Sequence, residues 1–282
     1  MTPYSSSSKW LSALALGLTL ATIPHGANAG VGSFLLEKAA EHVLESAKND
    51  NAAPPVALPA GGSFEACRSL FPGGVPIDIR TVDQRWKPRA LCASNYAVIY
   101  SGLTKTPLLV VERLSRAQLS DALDESRTDE FFHDPRVPKG ERAELSDYVG
   151  TGLDRGHMAP AADMPNQTAM AQSFALTNMV PQDPHNNRKV WSKIESDTRK
   201  YGRRASGDVF VFSGPLFKGQ ARTIGRNKVW VPTDLFKLVY DASNQRTWAH
   251  LLPNTSDARV GQPVDYPTFV RETNWRPLGL PH

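Results

Sequence analysis

Asp154, Arg155 and His157 stand within four residues of one another. Asn187 lies 30 residues beyond His157, and Glu195 eight beyond Asn187. These types at this spacing offer three kinds of chemistry. His157 follows Gly156, and glycine is where backbone turns sharply or approaches a ligand closely. A histidine with an ordinary pKa of about 6.5 can move protons at neutral pH. Asn186, Asn187 and Glu195 offer oxygens, and an oxygen set with few charges suits Mg²⁺, which keeps several waters and binds substrate phosphate. Arg155 and Arg127 carry guanidinium forks that match phosphate oxygens. A plainer reading competes with this one. A lone histidine is more often a hydrogen-bonded structural residue, and Asn186-Asn187 can simply cap a helix whose solvated face carries Glu195.

Positioning these groups needs particular elements. A helix is predicted over Asn187–Tyr201. Eight residues are about two turns, so Asn187 and Glu195 would share a face, with Trp191 midway between them on the same face. Arg188, Lys189, Lys193, Arg199, Lys200, Arg203 and Arg204 make that segment basic, as a phosphate-tracking surface or as an ordinary solvated face. Alternating or β-rich runs predict strands at Asn95–Tyr100, Pro107–Glu112, Asp208–Ser213, Lys228–Pro232, Leu235–Tyr240 and Arg246–Leu252. Pro267–Trp275 reads as a closing helix. Gln118–Arg142 is polar and carries two prolines, so it reads as a long surface excursion of the kind that often serves function. Strand signals outnumber helix signals, so the expected class is α+β with a mostly antiparallel sheet.

The chain has 282 residues, 40% of them hydrophobic and 21% charged, with a net charge of +4. That is globular composition, and its mild basicity is compatible with a polyanionic partner without requiring one. Lys9, the apolar run Trp10–Ile23 and the small residues Ala27-Asn28-Ala29 read as an export signal over residues 1–29 cleaved after Ala29. The run is shorter than the ~20 residues a membrane span needs, which argues against an anchor. Residues 30–62 then read as an amphipathic arm, Ser33–Lys48, and a Pro/Ala-rich linker, Asn49–Gly62, ahead of a domain over 63–282. The expected location is the periplasm or the extracellular medium. In such an oxidising compartment the two cysteines, Cys67 and Cys92, favour a disulfide over two buried thiols.

The run Asp154-Arg155-Gly156-His157-Met158-Ala159-Pro160-Ala161-Ala162-Asp163 resembles the signature of the DNA/RNA non-specific endonuclease family, of the ββα-metal (His-Me finger) superfamily. Thr177–Gln182 and Asn186–Trp191 with Glu195 are similar to the family's next two blocks, in the same order. The resemblance implies a ββα-metal core on a mostly antiparallel central sheet flanked by helices. It implies that His157 is the general base, that Asn187 is the single protein ligand of Mg²⁺ (Mn²⁺ being the alternative), and that Glu195 holds metal-bound waters. Arg155 and Arg127 would bind phosphate, Arg127 through its spacing to Phe131. Asp154, Asn178 and Gln182 would support the site. DNA and RNA would be the substrates and 5′-phosphorylated fragments the products. The alternative from another class is a nucleic-acid-binding or uptake protein on the same fold without turnover; an intact His157, Asn187 and Glu195 favours the enzyme. A third reading, a phosphodiesterase for small or lipid substrates, fits the basic surfaces less well. An inhibitor protein and a homodimer both stay open.

Overall fold

The computed structural model describes Ala40, Glu41, Leu44, Glu45, Asn49, Asp50, residues 52–123 and residues 125–278. The expected export signal and most of the expected arm helix lie outside the described residues, although Ala40, Glu41, Leu44 and Glu45 are helical. No helix among the described residues is long and apolar enough to cross a membrane. Among the described residues ten strands follow in chain order: β1 Pro88–Cys92, β2 Tyr96–Ser101, β3 Thr106–Leu114, β4 Asp154–His157, β5 Met179–Gln182, β6 Val209–Leu216, β7 Thr223–Ile224, β8 Val229–Trp230, β9 Asp234–Asp241 and β10 Arg246–Pro253. Six of them form one sheet in the order β1-β2-β3-β6-β9-β10, antiparallel at every pairing. The expected α+β class and antiparallel sheet are what the structure has.

Both faces of the sheet are covered, which is why β2 and β3 read as near-continuous apolar runs rather than alternating ones. Tyr96, Val98, Tyr100 and Val110 pack on one face with Met158, Phe174, Val180, Trp191 and Ile194. Ala97, Ile99, Leu109 and Val111 pack on the other with Phe212, Phe236 and Phe269. The first face carries the groups singled out in the sequence. The second is closed by the C-terminal helix Tyr266–Thr273, capped at its start by Asp265 and ended by left-handed Asn274. The Cys67–Cys92 disulfide ties a 3₁₀ segment, Glu65–Leu70, to the end of β1.

Three expectations need correction. Lys228–Pro232 supplies only the two residues of β8, which pair with β7 outside the main sheet. The Gln118–Arg142 excursion is not a surface loop throughout: it starts inside a helix, α1 (Arg116–Asp121), and buries Phe132, His133, Asp134 and Val137. Phe132 forms a bridge to Ala175, so this segment is structural wall as well as rim. The proposed linker, finally, is tied to the body. Asp50 accepts from Leu145 N at 2.6 Å, the Ala57 carbonyl accepts from Gln172 Nε2 at 2.8 Å and the Pro59 carbonyl accepts from Arg136 Nη1 at 3.0 Å.

Candidate active site

β4 and β5 form a two-stranded antiparallel ribbon, Asp154 opposite Gln182 and His157 opposite Met179. Neither strand has a strong β pattern; tertiary contacts hold them. Gly156 is required by close approach. A Cβ there would lie 2.8 Å from both Cβ and Cδ of Gln182 and would collide with its Oε1. Gln182 is fully buried and donates to Asn186 Oδ1 at 2.7 Å, so it has little freedom to yield. Beyond His157 the chain is clamped by Asn178: its Oδ1 accepts from Ala159 N, and its Nδ2 donates to the carbonyls of Ala159 and Ser173, each at 2.9 Å. The Trp191 indole N–H donates to the His157 carbonyl at 3.1 Å and fixes the ribbon against the following helix. Between the strands lies α2 (Gln167–Ser173), capped by Asn166.

The helix after β5, α3, opens at Pro184 and His185, passes through a π-helical turn, Asn186–Trp191, and continues as α-helix over Ser192–Gly202. Its cap is Asp183, whose Oδ1 accepts from His185 N at 2.8 Å and Asn186 N at 3.1 Å. The asparagines are therefore not the cap. Asn186 is buried and spent on structure, accepting from Gln182 and donating to the Pro253 carbonyl at 2.6 Å. Asn187 is left to the cavity. At 3.6 residues per turn, eight residues overshoot two turns by roughly 80°; a π turn uses more residues per turn and reduces that overshoot. The π turn thus helps bring Asn187 and Glu195 onto one line. Trp191 does not join them: it is fully buried in the core beneath.

Arg127, Arg155, His157, Asn187 and Glu195 line one cavity of about 800 Å³, together with Phe131, Tyr148, Asp154 and Arg188. His157 is 9% exposed and stands against Phe131 and Phe174, with ring centroids 5.8 and 5.0 Å away. Burial, followed by the charge of Arg127, pushes its pKa down to about 3, and no group among the described residues engages its Nε2. The imidazole is therefore neutral at physiological pH. Arg155 lies over the Phe131 ring at 4.4 Å and near Tyr148 at 5.9 Å; burial holds it below its ordinary value. Arg127 packs over Phe174 at 5.1 Å and pairs with Asp129 at 2.5 Å.

Asp154 organises the far side. Its carboxylate accepts from Asn187 Nδ2 at 2.9 Å and takes a two-pronged ion pair from Arg188 at 2.8 and 2.6 Å. Burial pushes this carboxyl up, but the hydrogen bonds from Arg188 and Asn187 outweigh it and keep it ionised. An ionised carboxylate only accepts, so it fixes which end of the Asn187 amide faces it and leaves Oδ1 for the cavity. Glu195 is partly exposed to the cavity, yet its Oε1 is enclosed and without a hydrogen-bond partner among the described residues. Burial raises this carboxyl to about 7, against the pull of Lys237. An amide oxygen beside a carboxylate with an orphaned oxygen fits a hard, water-rich cation. Among the described residues no cluster of three or more His, Cys, Asp or Glu could hold a metal.

Some of the site had no signal in the sequence. Tyr148 walls the cavity, and Phe174 packs beneath it against His157 and Arg127, each from a distant segment. Below α3 lies a buried charged group, Glu112, Asp163 and Lys237, with Arg199 paired to Asp163. Lys237 donates to Ser213 Oγ at 2.7 Å and sits 4.7 Å from the Trp191 ring. Only its burial, invisible from one sequence, distinguishes this set from surface charges.

The sequence profile of the DNA/RNA non-specific endonucleases matches residues 76–276. The chain belongs to the DNA/RNA non-specific endonuclease family. Within it, the chain is 32% identical over 237 residues to "Endonuclease G, mitochondrial" of Bos taurus, covering 80% of this chain and 78% of that protein. It is 37% identical over 161 residues to "Nuclease EXOG, mitochondrial" of Homo sapiens, covering 53% of this chain but only 43% of that protein. The chain thus spans under half the length of the EXOG relatives it matches. It is also 35% identical over 176 residues to "Nuclease C1" of Cunninghamella echinulata var. echinulata, covering 57% of this chain and 69% of that protein. In three dimensions it is similar to a chain of the EndoG/EndoGI complex, with a TM-score of 0.60 and 23% identity over 73% of this chain and 88% of that one. That likeness establishes the family fold.

Proposed function

We propose that this chain is an exported endonuclease that hydrolyses the phosphodiester bonds of DNA and RNA with a single Mg²⁺, Mn²⁺ being the alternative. The observation that carries the reading is the shared cavity: a neutral histidine with an unengaged ring nitrogen, two guanidinium groups, an amide oxygen and a carboxylate around one space. Phosphodiester hydrolysis asks for an activated water, neutralisation of phosphoryl charge and help for the leaving group. His157 takes the proton from the attacking water. Its depressed pKa keeps the lone pair available, though it also makes the base intrinsically weak. Arg155, and Arg127 with it, bind the phosphate oxygens. Asn187 Oδ1 would hold the metal and Glu195 would hold its waters; the metal, when bound, stabilises negative charge on the phosphoryl group and leaving oxygen. Asp154 keeps Asn187 in place. Gln182 and Asn178 hold the two strands.

The cavity carries guanidinium groups suited to phosphate, so cleavage is expected to be tolerant of sequence and sensitive to salt. Export is supported by the signal-like residues 1–29 and by the disulfide. An inhibitor protein is a reasonable partner to seek, given the solved complex of a relative with one. The purified chain should degrade supercoiled plasmid and single-stranded RNA with Mg²⁺ present and stop when EDTA is added. Intact plasmid and RNA after prolonged incubation with Mg²⁺ or Mn²⁺ would leave the non-catalytic binding reading in its place.

A further inference from the structure

The β7–β8 ribbon stands apart from the central sheet, yet its four-residue turn is fixed unusually firmly. Asp147 is 1% exposed and directly precedes Tyr148, a wall of the cavity. Its carboxylate accepts from Asn227 N at 2.9 Å and from Asn227 Nδ2 at 2.9 Å, and also from Glu144 N at 2.8 Å. Within the turn, Lys228 N donates to the Gly225 carbonyl at 3.2 Å. Gly225 has φ +64° and packs so closely on Asp147 that any Cβ would collide with it. Ile224 and Val229 share a small core with Tyr148. The ribbon is therefore welded to the segment that forms the cavity wall.

What this rigid turn presents is positive charge. Arg222, Arg226 and Lys228 are exposed. None of them takes part in an ion pair among the described residues. Some other exposed cations are paired: Arg80 with Asp78, Arg85 with Asp83, and Lys87 with Glu141. A fixed turn removes the backbone share of the ordering cost when its cations bind an anion, leaving the rotamer cost of their side chains.

We infer that Arg226 and Lys228, held by Asp147 on the β7–β8 turn, form an outer phosphate subsite that grips the nucleic-acid backbone beyond the nucleotides at the cavity. The inference rests on the nuclease reading above and extends it to how a polymer is held. The contact is to phosphate, so it carries no base preference. A substrate must be long enough to reach from the cavity to the turn, which sets polymers apart from dinucleotides.

The test measures binding of a fluorescent 20-mer duplex by anisotropy against salt, with EDTA present to prevent cleavage, for wild type and for Arg226→Ala/Lys228→Ala. Losing two phosphate contacts should lower the slope of log K against log[salt] by about 1.8, and weaken binding at 0.15 M salt by up to roughly 30-fold. The swapped variant, Arg226→Lys/Lys228→Arg, should restore both, and thermal melts should show all variants folded. A wild type that binds the duplex, with an alanine variant of equal slope and affinity, overturns the subsite while leaving the nuclease reading standing. A wild type that neither binds nor cleaves nucleic acid overturns both. If the swapped variant fails to restore binding although it is folded, charge is not what the turn contributes, and the inference falls.

Discussion

Replacing Gly156 with alanine probes how the ribbon and helix are locked together. The added methyl group would lie 2.8 Å from Cβ and Cδ of Gln182 and collide with its Oε1. Gln182 is fully buried and bonds Asn186, which in turn holds the Pro253 carbonyl. Two outcomes are open to the fold. Either Gln182 swings away, leaving Asn186 Oδ1 buried without its donor at about 1–3 kcal/mol, or the strands part, an overpacking strain of about 1–3 kcal/mol. A loss of about 2 kcal/mol corresponds to a melting temperature lower by about 4–8 °C for a domain of this size. Displacement of β4 also moves His157 and Asp154, so nicking activity should fall by at least tenfold even below the melt. Gly140→Ala is the control: nothing lies within 4 Å of its built Cβ and its backbone is ordinary, so its stability should change by no more than about 0.5 kcal/mol. A Gly156→Ala protein that melts within 1 °C of wild type and nicks at the wild-type rate would refute the locked-ribbon argument.

Asn187→Ala should leave the melt intact and abolish detectable Mg²⁺ binding by calorimetry along with activity; unchanged metal affinity would remove Asn187 as the ligand. Metal affinity should also depend on pH through Glu195. Burial raises its carboxyl to about 7, so below that pH a proton competes with the cation and affinity should fall about tenfold per pH unit. In the metal-free protein the sign reverses: a raised carboxyl contributes stability that is full below its unfolded value near 4.5 and is lost as pH rises through about 7. Glu195→Gln should flatten both profiles. Asn178→Ala removes three buried hydrogen bonds around Ala159 and Ser173, and chemical denaturation should report a loss of about 2–4 kcal/mol. Cys67→Ser/Cys92→Ser opens a loop of 25 residue steps and should lose about 3 kcal/mol in the chain-entropy account, with nicking at 25 °C largely retained.

Five of the six sheet strands were legible in the sequence because they are long and apolar, and Leu235–Tyr240 and Arg246–Leu252 fall within one residue of β9 and β10; the short edge strand β1 was not. β4 and β5 were not, since Asp-Arg-Gly-His and Met-Val-Pro-Gln pair only because Asn178, Trp191 and Gln182 hold them. The residues around the cavity were named from their chemistry and from the family resemblance, and the structure brings Arg127, Arg155, His157, Asn187 and Glu195 together. Their geometry was less accessible. The sequence placed Trp191 on the same face as Asn187, and the structure turns it into the core. Nothing in the sequence marks the π turn, which opens at Asn186, buried between Gln182 and Pro253. Asp154 was expected to orient the site, and its ion pair with Arg188 had no sequence-distance cue, the two being 34 residues apart.

The central claim is that a neutral His157 supplies the proton transfer for phosphodiester cleavage. Its most direct test is the initial rate of supercoiled-plasmid nicking at pH 7.5 with Mg²⁺, for wild type and His157→Ala at equal concentration, after melts confirm that both are folded. The account predicts chelator-sensitive nicking by wild type and a rate at least 10²-fold lower for the variant, the scale of a lost general base. A folded His157→Ala protein that nicks at the wild-type rate would contradict it.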